Sequence, residues 1–121
     1  EKAALNQQDA DYFRSLNTRA GEVVADLLEF MFIRFNAGGE DALMHDGLAV
    51  AVTAKPEIVK TKTYYVDCEC AGKYTRGHTY VATNDLFYKK GEKPELCDVA
   101  LELDLPLFKD YIKQVIARSK A

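Results

Sequence analysis

The segment from Ala42 to Val52 restricts the fold of this 121-residue sequence more than any other. It reads ALMHDGLAVAV, so two adjacent ionisable residues, His45 and Asp46, stand between two apolar stretches. The second stretch is too apolar for a solvated loop, and Pro56 limits its length. We therefore predict a short buried helix over residues 47–54, with Asp46 at its N-cap.

The two polar side chains would then lie where a helix has unpaired backbone N–H groups and a dipole that favours negative charge. A simpler interpretation is that Asp46 only caps the helix and His45 is a solvated neighbour. The residues by themselves leave both interpretations open.

Three further helices are predicted from apolar residues at three-four spacing and from capping residues. Asn6 caps the first helix, and Asn17 or Thr18 caps the second and longer one. Asp104 caps the last helix, with Pro106 in its first turn. The predicted buried stripes are Ala20, Val23, Val24, Leu27, Leu28, Met31 and Phe35 in the second helix, and Phe108, Tyr111, Ile112, Val115 and Ile116 in the last.

From Lys62 onward, apolar residues recur at every second position, which indicates β-strands. Residues 62–70 form one strand, residues 71–73 form a turn, and residues 74–83 return as the second strand of a hairpin. A third strand covers residues 97–103. The pattern therefore predicts an α/β chain with a β-hairpin, one further strand and about four helices.

Composition limits the partners and the compartment. The net charge of −3 argues against nucleic acid as the main partner, because phosphate binding needs clustered lysine and arginine. No apolar run approaches the ~20 residues of a membrane span, and no signal peptide is visible. Three cysteines without an evident disulfide framework fit a reducing compartment, so we expect a cytoplasmic location.

The cysteines Cys68, Cys70 and Cys97 raise the question of a zinc site. Structural zinc sites need four ligands, and paired cysteines are usually separated by two or more residues. Here one residue separates the pair, and all three cysteines fall on the apolar faces of predicted strands. We therefore predict that they are buried small hydrophobic residues.

The segment from Met44 to Ala51 resembles the C-terminal signature of the inosine–uridine nucleoside hydrolases, apolar-His-Asp-Pro-Leu-Ala-Val-Ala. Gly47 stands where that signature usually has proline. The resemblance implies that residues 1–121 are the C-terminal part of a single Rossmann-like α/β domain, whose N-terminal part is absent from this chain. Further similar segments are residues 2–5, 56–59, 65–67 and 74–77.

The resemblance also implies a reaction. Members of the family are Ca²⁺-dependent enzymes that hydrolyse the N-glycosidic bond of ribonucleosides to ribose and free base, in purine or pyrimidine salvage. By similarity, His45 would bind the substrate and protonate the leaving base. Asp46 would bind Ca²⁺ and reach the ribose. The family is usually dimeric or tetrameric, so a homo-oligomer is expected.

The proposed metal site is incomplete in this sequence. Calcium takes roughly 6–8 oxygen ligands, and the carboxylate of Asp46 supplies at most two. In the family the other carboxylates, including the general base, come from an N-terminal Asp-x-Asp-x-Gly-x-Asp-Asp motif that is missing here. Asp9 and Asp11 do not replace it, because they face different sides of a helix. We expect this chain to be inactive alone and to need the remaining N-terminal part of the enzyme.

A different class of function is an α+β interaction module or a non-catalytic fragment. In that case Tyr64, Tyr65, Tyr74 and Tyr80 on the hairpin would be candidate contact residues. The segment 36–41 contains two glycines and is either a hinge near the nucleobase or a simple helix C-cap and loop.

Overall fold

A computed structural model describes residues 3–35, 41–82 and 96–119 of the chain. The α-helices in these ranges are α1 (Gln7–Ser15), α2 (Arg19–Phe35), α3 (His45–Ala54) and α4 (Leu105–Arg118). The β-strands there are β1 (Ala4–Leu5), β2 (Ala42–Leu43), β3 (Val59–Cys68), β4 (Thr79–Ala82) and β5 (Leu96–Leu103), and a 3₁₀ turn spans Pro56–Ile58. The predicted α/β class and the predicted helices are confirmed. Residues 36–40 of the candidate hinge at 36–41 lie outside the described residues.

The chain divides into two compact units, residues 1–59 with 103–121 and residues 60–102. The first unit contains the four α-helices of the described ranges together with β1 and β2. The second contains a three-stranded sheet. No helix in the part of the chain that the structure describes is long and apolar enough to cross a bilayer.

Three helices begin at capping residues that the sequence identifies. The Asn6 side chain accepts a hydrogen bond from the backbone N–H of Asp9 (3.2 Å), and the Asp9 carboxylate accepts one from the Asn6 N–H (3.0 Å), which is a capping box. Thr18 Oγ1 accepts from the Gly21 N–H at 3.1 Å, and Asp104 accepts from a first-turn amide at 3.0 Å. Of the two candidates for α2, Thr18 is therefore the capping residue.

Two apolar clusters form the core of the first unit. One joins α1 and α2 to β1 and β2 and contains Leu5, Ala10, Phe13, Ala25, Leu28, Phe32 and Ala42. The other joins α3, α4 and the 3₁₀ turn and contains Ala3, Ala51, Ile58 and Phe108. Burying each large side chain contributes about 1.5–3 kcal/mol, so these clusters are the main stabilising contacts of the unit.

The predicted buried stripe of α2 is only partly right. Leu28 is buried, but Val23 and Leu27 are exposed. The buried side of the helix is centred instead on Ala25 and Phe32. Because α2 is apolar around most of its circumference, its sequence does not decide which side packs against the core.

The stripe of α4 follows the prediction more closely. Phe108 is fully buried, whereas Tyr111, Ile112 and Ile116 are half-buried. Val115 is exposed to 45%, contrary to the prediction. The outer edge of the stripe therefore lies at the surface of this unit.

The sheet of the second unit has the strand order β4-β3-β5. The antiparallel pairing of β3 with β4, in which Tyr65 is opposite Ala82, confirms the predicted hairpin. Its connection is longer than predicted, since residues 69–78 lie between the paired strands. The carboxylate of Glu69 accepts hydrogen bonds from the N–H groups of Ala71 (2.8 Å) and Gly72 (3.0 Å), and this folds the connection into a compact loop.

The prediction of buried cysteines is wrong. Cys68, Cys70 and Cys97 are free and exposed. Cys68 is the last residue of β3, Cys70 lies in the loop that follows it, and Cys97 is the second residue of β5. Alternation along a strand predicts which residues share a face, but it does not predict whether that face is covered.

Candidate functional site

A short strand pair fixes the chain just before the candidate site. Strands β1 and β2 are antiparallel, with Leu5 opposite Ala42, and both of these side chains are buried in the first cluster. The pairing continues past β2, because the Met44 N–H donates a hydrogen bond to the carbonyl oxygen of Ala3 at 2.8 Å. Met44 is therefore held at the end of a strand that is anchored in the core.

Helix α3 begins at His45, which is two residues earlier than predicted. Met44 occupies the N-cap position without a side-chain cap, and its carbonyl oxygen accepts the hydrogen bond from the Leu48 N–H at 3.1 Å. The prediction of Asp46 as N-cap is therefore wrong, because the strand hydrogen bond fixes Met44 and helical geometry starts immediately after it. The helix ends at Ala54, as predicted.

Both candidate side chains lie in the first turn of α3 and are exposed. They do not face each other, since adjacent residues of an α-helix point about 100° apart. Asp46 lines an apolar groove, whereas His45 is not among the residues that line it. The negative charge of Asp46 still benefits from the unpaired N–H groups of the first turn, by roughly 0.3–1 kcal/mol.

The groove has a volume of about 420 Å³ and lies between α2, α3 and α4. It is lined by Val24, Met44, Asp46, Gly47, Val50, Ala51, Ala54, Tyr111, Ile112, Val115 and Ile116. Within this lining Asp46 is the one charged residue. The groove is thus an apolar depression with a carboxylate in its wall.

This groove and the place of Tyr111 beside it were not predicted from the sequence. Tyr111 was predicted as a buried residue of α4, but it lines the groove, and Lys55 Nζ lies 5.8 Å from the centroid of its ring. A signal for the groove was present in α3, whose apolar residues surround the helix instead of forming one stripe. Such a helix has more apolar surface than a single neighbour can cover.

The donor chemistry of Asp46 fits a hard cation such as Ca²⁺, which prefers oxygen ligands. Across residues 3–35, 41–82 and 96–119, no group of three or more His, Cys, Asp or Glu side chains is placed to hold a metal ion. Asp46 can therefore act as one ligand, and a complete set of about 6–8 oxygens would require further donors.

A second aspartate, Asp9, has quite different surroundings. Its Oδ2 lies 2.6 Å from Lys109 Nζ and its Oδ1 lies 2.7 Å from Lys113 Nζ, so both carboxylate oxygens are paired. Burial alone would raise the pKa of Asp9, but the hydrogen bonds from the two lysines and from the Asn6 N–H outweigh it and lower the pKa. Asp11 is exposed, which confirms that the two acids face different sides of α1.

The tyrosines proposed as contact residues are divided between two environments. Tyr74 and Tyr80 are exposed, whereas Tyr64 and Tyr65 are half-buried. Exposure of an aromatic side chain on a hairpin does not identify a partner. The role of these tyrosines as contact residues stays a prediction.

Comparison with known families assigns the class of protein. Residues 1–110 match the model of the inosine-uridine preferring nucleoside hydrolase family. The chain therefore belongs to this family, and the resemblance of the His45-Asp46 segment to its signature is confirmed at the level of the family.

Individual relatives agree with this assignment. The pyrimidine-specific ribonucleoside hydrolase RihA of Escherichia fergusonii is 32% identical over 117 residues, which are 93% of this chain and 36% of the relative. The solved structure of a purine-preferring ribonucleoside hydrolase from Gardnerella vaginalis is 28% identical in sequence and superposes with a TM-score of 0.74. The match covers 96% of this chain and 36% of the Gardnerella chain. A plant nucleoside hydrolase shares the fold, with a TM-score of 0.78 and 14% sequence identity. This match covers 97% of this chain and 38% of the plant chain.

The chain thus spans little more than a third of the length of these relatives, 36% in the case of RihA.

Proposed function

We propose that this chain is part of a Ca²⁺-dependent ribonucleoside hydrolase, in which it contributes His45 and Asp46 to the active site. The observation that carries the proposal is the exposed carboxylate of Asp46 in the first turn of α3, beside an apolar groove, in a chain of this family. A carboxylate there can bind a cation or a ribose hydroxyl, and an apolar wall suits the remainder of a nucleoside.

His45 supplies the proton for the leaving base. In the hydrolysis, the bond between C1′ of the ribose and the base nitrogen breaks, and the oxygen of a water molecule bonds to C1′. The base departs with the electron pair of the broken bond and must take up a proton. The imidazole of His45 is exposed in the first turn of α3, and a protonated imidazole can donate that proton.

Asp46 would hold the metal ion through its carboxylate and would accept a hydrogen bond from a ribose hydroxyl. Bound there, Ca²⁺ would supply an attachment point for the ribose hydroxyls and would lower the pKa of a bound water molecule. The remaining oxygen ligands and the general base belong to the N-terminal part of the enzyme. The N-terminal part of the enzyme is therefore a partner of this chain in the proposal. Residues 1–121 alone are proposed to be inactive.

The wider role rests on the family resemblance. In this role the enzyme is a homodimer or homotetramer in the cytoplasm. It hydrolyses purine or pyrimidine nucleosides for salvage. One relative is named as pyrimidine-specific and another as purine-preferring, so the proposal covers ribonucleosides of either kind.

The test compares two kinds of leaving group in the assembled enzyme. We expect His45→Ala to slow the hydrolysis of inosine and uridine by about 10²–10⁴-fold, which is the usual contribution of a general acid. The rate of hydrolysis of a riboside of p-nitrophenol should fall by less than about tenfold, because nitrophenolate departs as a stable anion without a proton.

The matched control is His78→Ala, since His78 is the only other histidine of the sequence and is also exposed. It should leave both rates unchanged. Turnover of inosine and uridine that survives in His45→Ala would refute the proposed acid.

A further inference from the structure

Two of the three cysteines lie two positions apart at the end of strand β3. Cys68 is the last residue of the strand, where it is paired with Thr79 of β4, and Cys70 lies in the loop that follows. Both thiols are free and exposed. The proposed hydrolysis uses neither of them, so this pair of accessible thiols is a separate chemical feature of the second unit.

The residue between the two cysteines is held by its backbone and by its side chain. The Glu69 N–H donates a hydrogen bond to the carbonyl oxygen of His78 at 3.0 Å, and the Glu69 carbonyl oxygen accepts one from the Gly77 N–H at 2.7 Å. The Glu69 carboxylate also accepts hydrogen bonds from two amides of the loop, at 2.8 and 3.0 Å. The backbone that joins the two thiols is therefore fixed within the hairpin.

The two sulfur atoms lie along the same short stretch of this backbone. Cys70 Sγ lies 3.3 Å from the carbonyl oxygen of Cys68, and Cys68 Sγ lies 3.9 Å from the carbonyl oxygen of Glu69. Residues two positions apart in a strand point to the same face, and their Cα atoms are roughly 6.4–6.8 Å apart. A disulfide accepts a Cα separation of about 4.4–6.8 Å, so rotation of the side chains can bring the two sulfurs into bonding contact.

The third cysteine is too distant to join this pair. Strand β5 is adjacent to β3, and Thr63 Oγ1 donates a hydrogen bond to Asp98 Oδ1 at 2.6 Å. Cys97 is the neighbour of Asp98, so it lies beside the middle of β3. At least three residues of strand, roughly 10 Å, separate that point from Cys68. A disulfide cannot span Cα atoms more than about 7 Å apart.

We propose that Cys68 and Cys70 are a dithiol that closes to an intramolecular disulfide by exchange with a low-molecular-weight disulfide of the glutathione class. In the described ranges no group of three or more His, Cys, Asp or Glu side chains could hold a metal ion, and a structural zinc site needs four ligands. Disulfide formation needs only two sulfurs and access for the oxidant, and both thiols are exposed.

The exchange proceeds in two balanced steps. The thiolate of one cysteine attacks a sulfur of glutathione disulfide, so that a mixed disulfide forms and one glutathione thiolate leaves. The thiolate of the other cysteine attacks the protein sulfur of the mixed disulfide, so that the Cys68–Cys70 bond forms and the second glutathione thiolate leaves. The protons of the two cysteines pass to the two glutathione thiolates. The protein pair is oxidised by two electrons, and glutathione disulfide is reduced.

The position of the pair makes the closed form reversible. Exposed disulfides are reduced by thiols more readily than buried structural ones. The new bond would enclose Glu69, which organises the loop through its carboxylate. Oxidation and reduction of the pair therefore act on the start of this loop.

The test identifies the products of exchange in the unsubstituted chain. Residues 1–121 are incubated with glutathione disulfide at mildly alkaline pH, the remaining thiols are blocked with N-ethylmaleimide, and the peptides are mapped by mass spectrometry. We expect the peptide that contains Cys68 and Cys70 to lose two hydrogens, and the peptide of Cys97 to carry glutathione. Treatment with an excess of a reducing thiol should restore all three cysteines.

Single substitutions separate closure from simple modification. Cys68→Ser and Cys70→Ser each retain one thiol of the pair, so both should stop at the mixed disulfide with glutathione. Cys97→Ser is the matched control, because Cys97 is equally free and exposed but lies outside the pair. It should leave closure unchanged. Glutathione adducts that persist on both Cys68 and Cys70 of the unsubstituted chain, or a disulfide that includes Cys97, would overturn the proposal.

Variants of Glu69 test whether the folded loop brings the thiols together. Glu69→Ala removes the acceptor of the two loop amides and should lower the ratio of closed to mixed disulfide by about threefold or more, because a looser backbone lowers the effective concentration of one thiol at the other. Glu69→Gln retains an acceptor oxygen and should keep the ratio of the unsubstituted chain. An unchanged ratio in Glu69→Ala would contradict the part that the folded loop has in the proposal.

Discussion

Two aspartates in this molecule lie in the first turns of their helices and have opposite surroundings. Asp9 and Asp46 both lie in the first turn of a helix, α1 and α3 respectively. Asp9 is 3% exposed and has both carboxylate oxygens paired with lysines of α4. Asp46 is exposed in the wall of an apolar groove.

The difference separates a structural acid from the acid that we propose to be functional. A buried carboxylate survives only with its charge compensated, and Lys109 and Lys113 compensate Asp9 completely within the chain. An exposed carboxylate keeps its oxygens available for a ligand or a cation. Substitution of Asp9 should therefore change stability, and substitution of Asp46 should change chemistry.

The largest expected effect follows from Asp46→Asn. In the assembled enzyme this change would remove the proposed anionic ligand of Ca²⁺, and we expect kcat/KM for inosine to fall about 10³-fold, because a metal bound there would supply several kcal/mol of transition-state stabilisation. The free energy of unfolding of the chain should change by less than about 0.5 kcal/mol, as for other exposed residues.

Steady-state kinetics and calcium titration calorimetry measure the first effect, and urea unfolding measures the second. Unchanged calcium affinity together with unchanged kcat/KM would remove the distinction between the two aspartates.

The next effect is the loss of stability in Asp9→Ala. Removing the carboxylate takes away the hydrogen bonds of Lys109 and Lys113, whose side chains are 21% and 26% exposed, so we expect a loss of about 1.5–3 kcal/mol in the free energy of unfolding. Asp11→Ala on the same helix is the control, because Asp11 is exposed and hydrogen-bonds only within α1 in the described structure (Gln7 Nε2, 3.0 Å). Equal urea midpoints for the two variants would contradict a structural role for Asp9.

A smaller effect is expected in the pH dependence of stability. Folding lowers the pKa of Asp9, so its stabilising contribution is fully present above its ordinary value of 3.8 and is lost as the pH falls through the lowered folded value. The difference in unfolding free energy between the unsubstituted chain and Asp9→Asn should be constant near neutral pH and should shrink below about pH 4. Urea titrations at stepped pH test this, and a difference that grows on acidification would contradict the assigned direction.

The smallest effect concerns the turn that carries Asp46. In Gly47→Ala the new Cβ would lie 3.2 Å from Met44 Cε, the movable end of a flexible side chain, so the helix gain of about 0.5 kcal/mol should prevail. Gly21→Ala in α2 is the contrasting control, because its Cβ would meet the carbonyl oxygen of Phe13 and should destabilise the chain by about 1–3 kcal/mol. Thermal melting distinguishes the two signs, and a loss of stability in Gly47→Ala would contradict the prediction.

Local features of the fold were predictable because their causes lie within a few residues. Asn6 and Asp104 cap the predicted helices with side chains that reach amides three positions later. The period-two segment after Lys62 indicated the hairpin, whose strands are adjacent in sequence. The loop of the hairpin was predicted too short, since the hydrogen bonds from its amides to Glu69 have no periodic signature.

Features that depend on distant segments were not predictable. The start of α3 was placed two residues late, because the hydrogen bond from Met44 to Ala3 joins positions far apart in the chain. The partners of Asp9 were missed, because Lys109 and Lys113 lie about a hundred residues away on α4. In the candidate site, His45 and Asp46 were identified from the sequence through the family signature. The groove beside Asp46 was not predicted.

The sequence by itself determined the family, the helices, the capping residues Asn6 and Asp104, and the two neighbouring residues that carry the proposed chemistry, since each is written in short-range order along the chain. Tertiary structure alone decided which aspartate is buried and which is exposed, and which sides of α2 and α3 are covered. The physical reason is that burial and charge compensation are set by which surfaces meet in space, and a helix that is apolar around most of its circumference offers several sides that neighbours can cover.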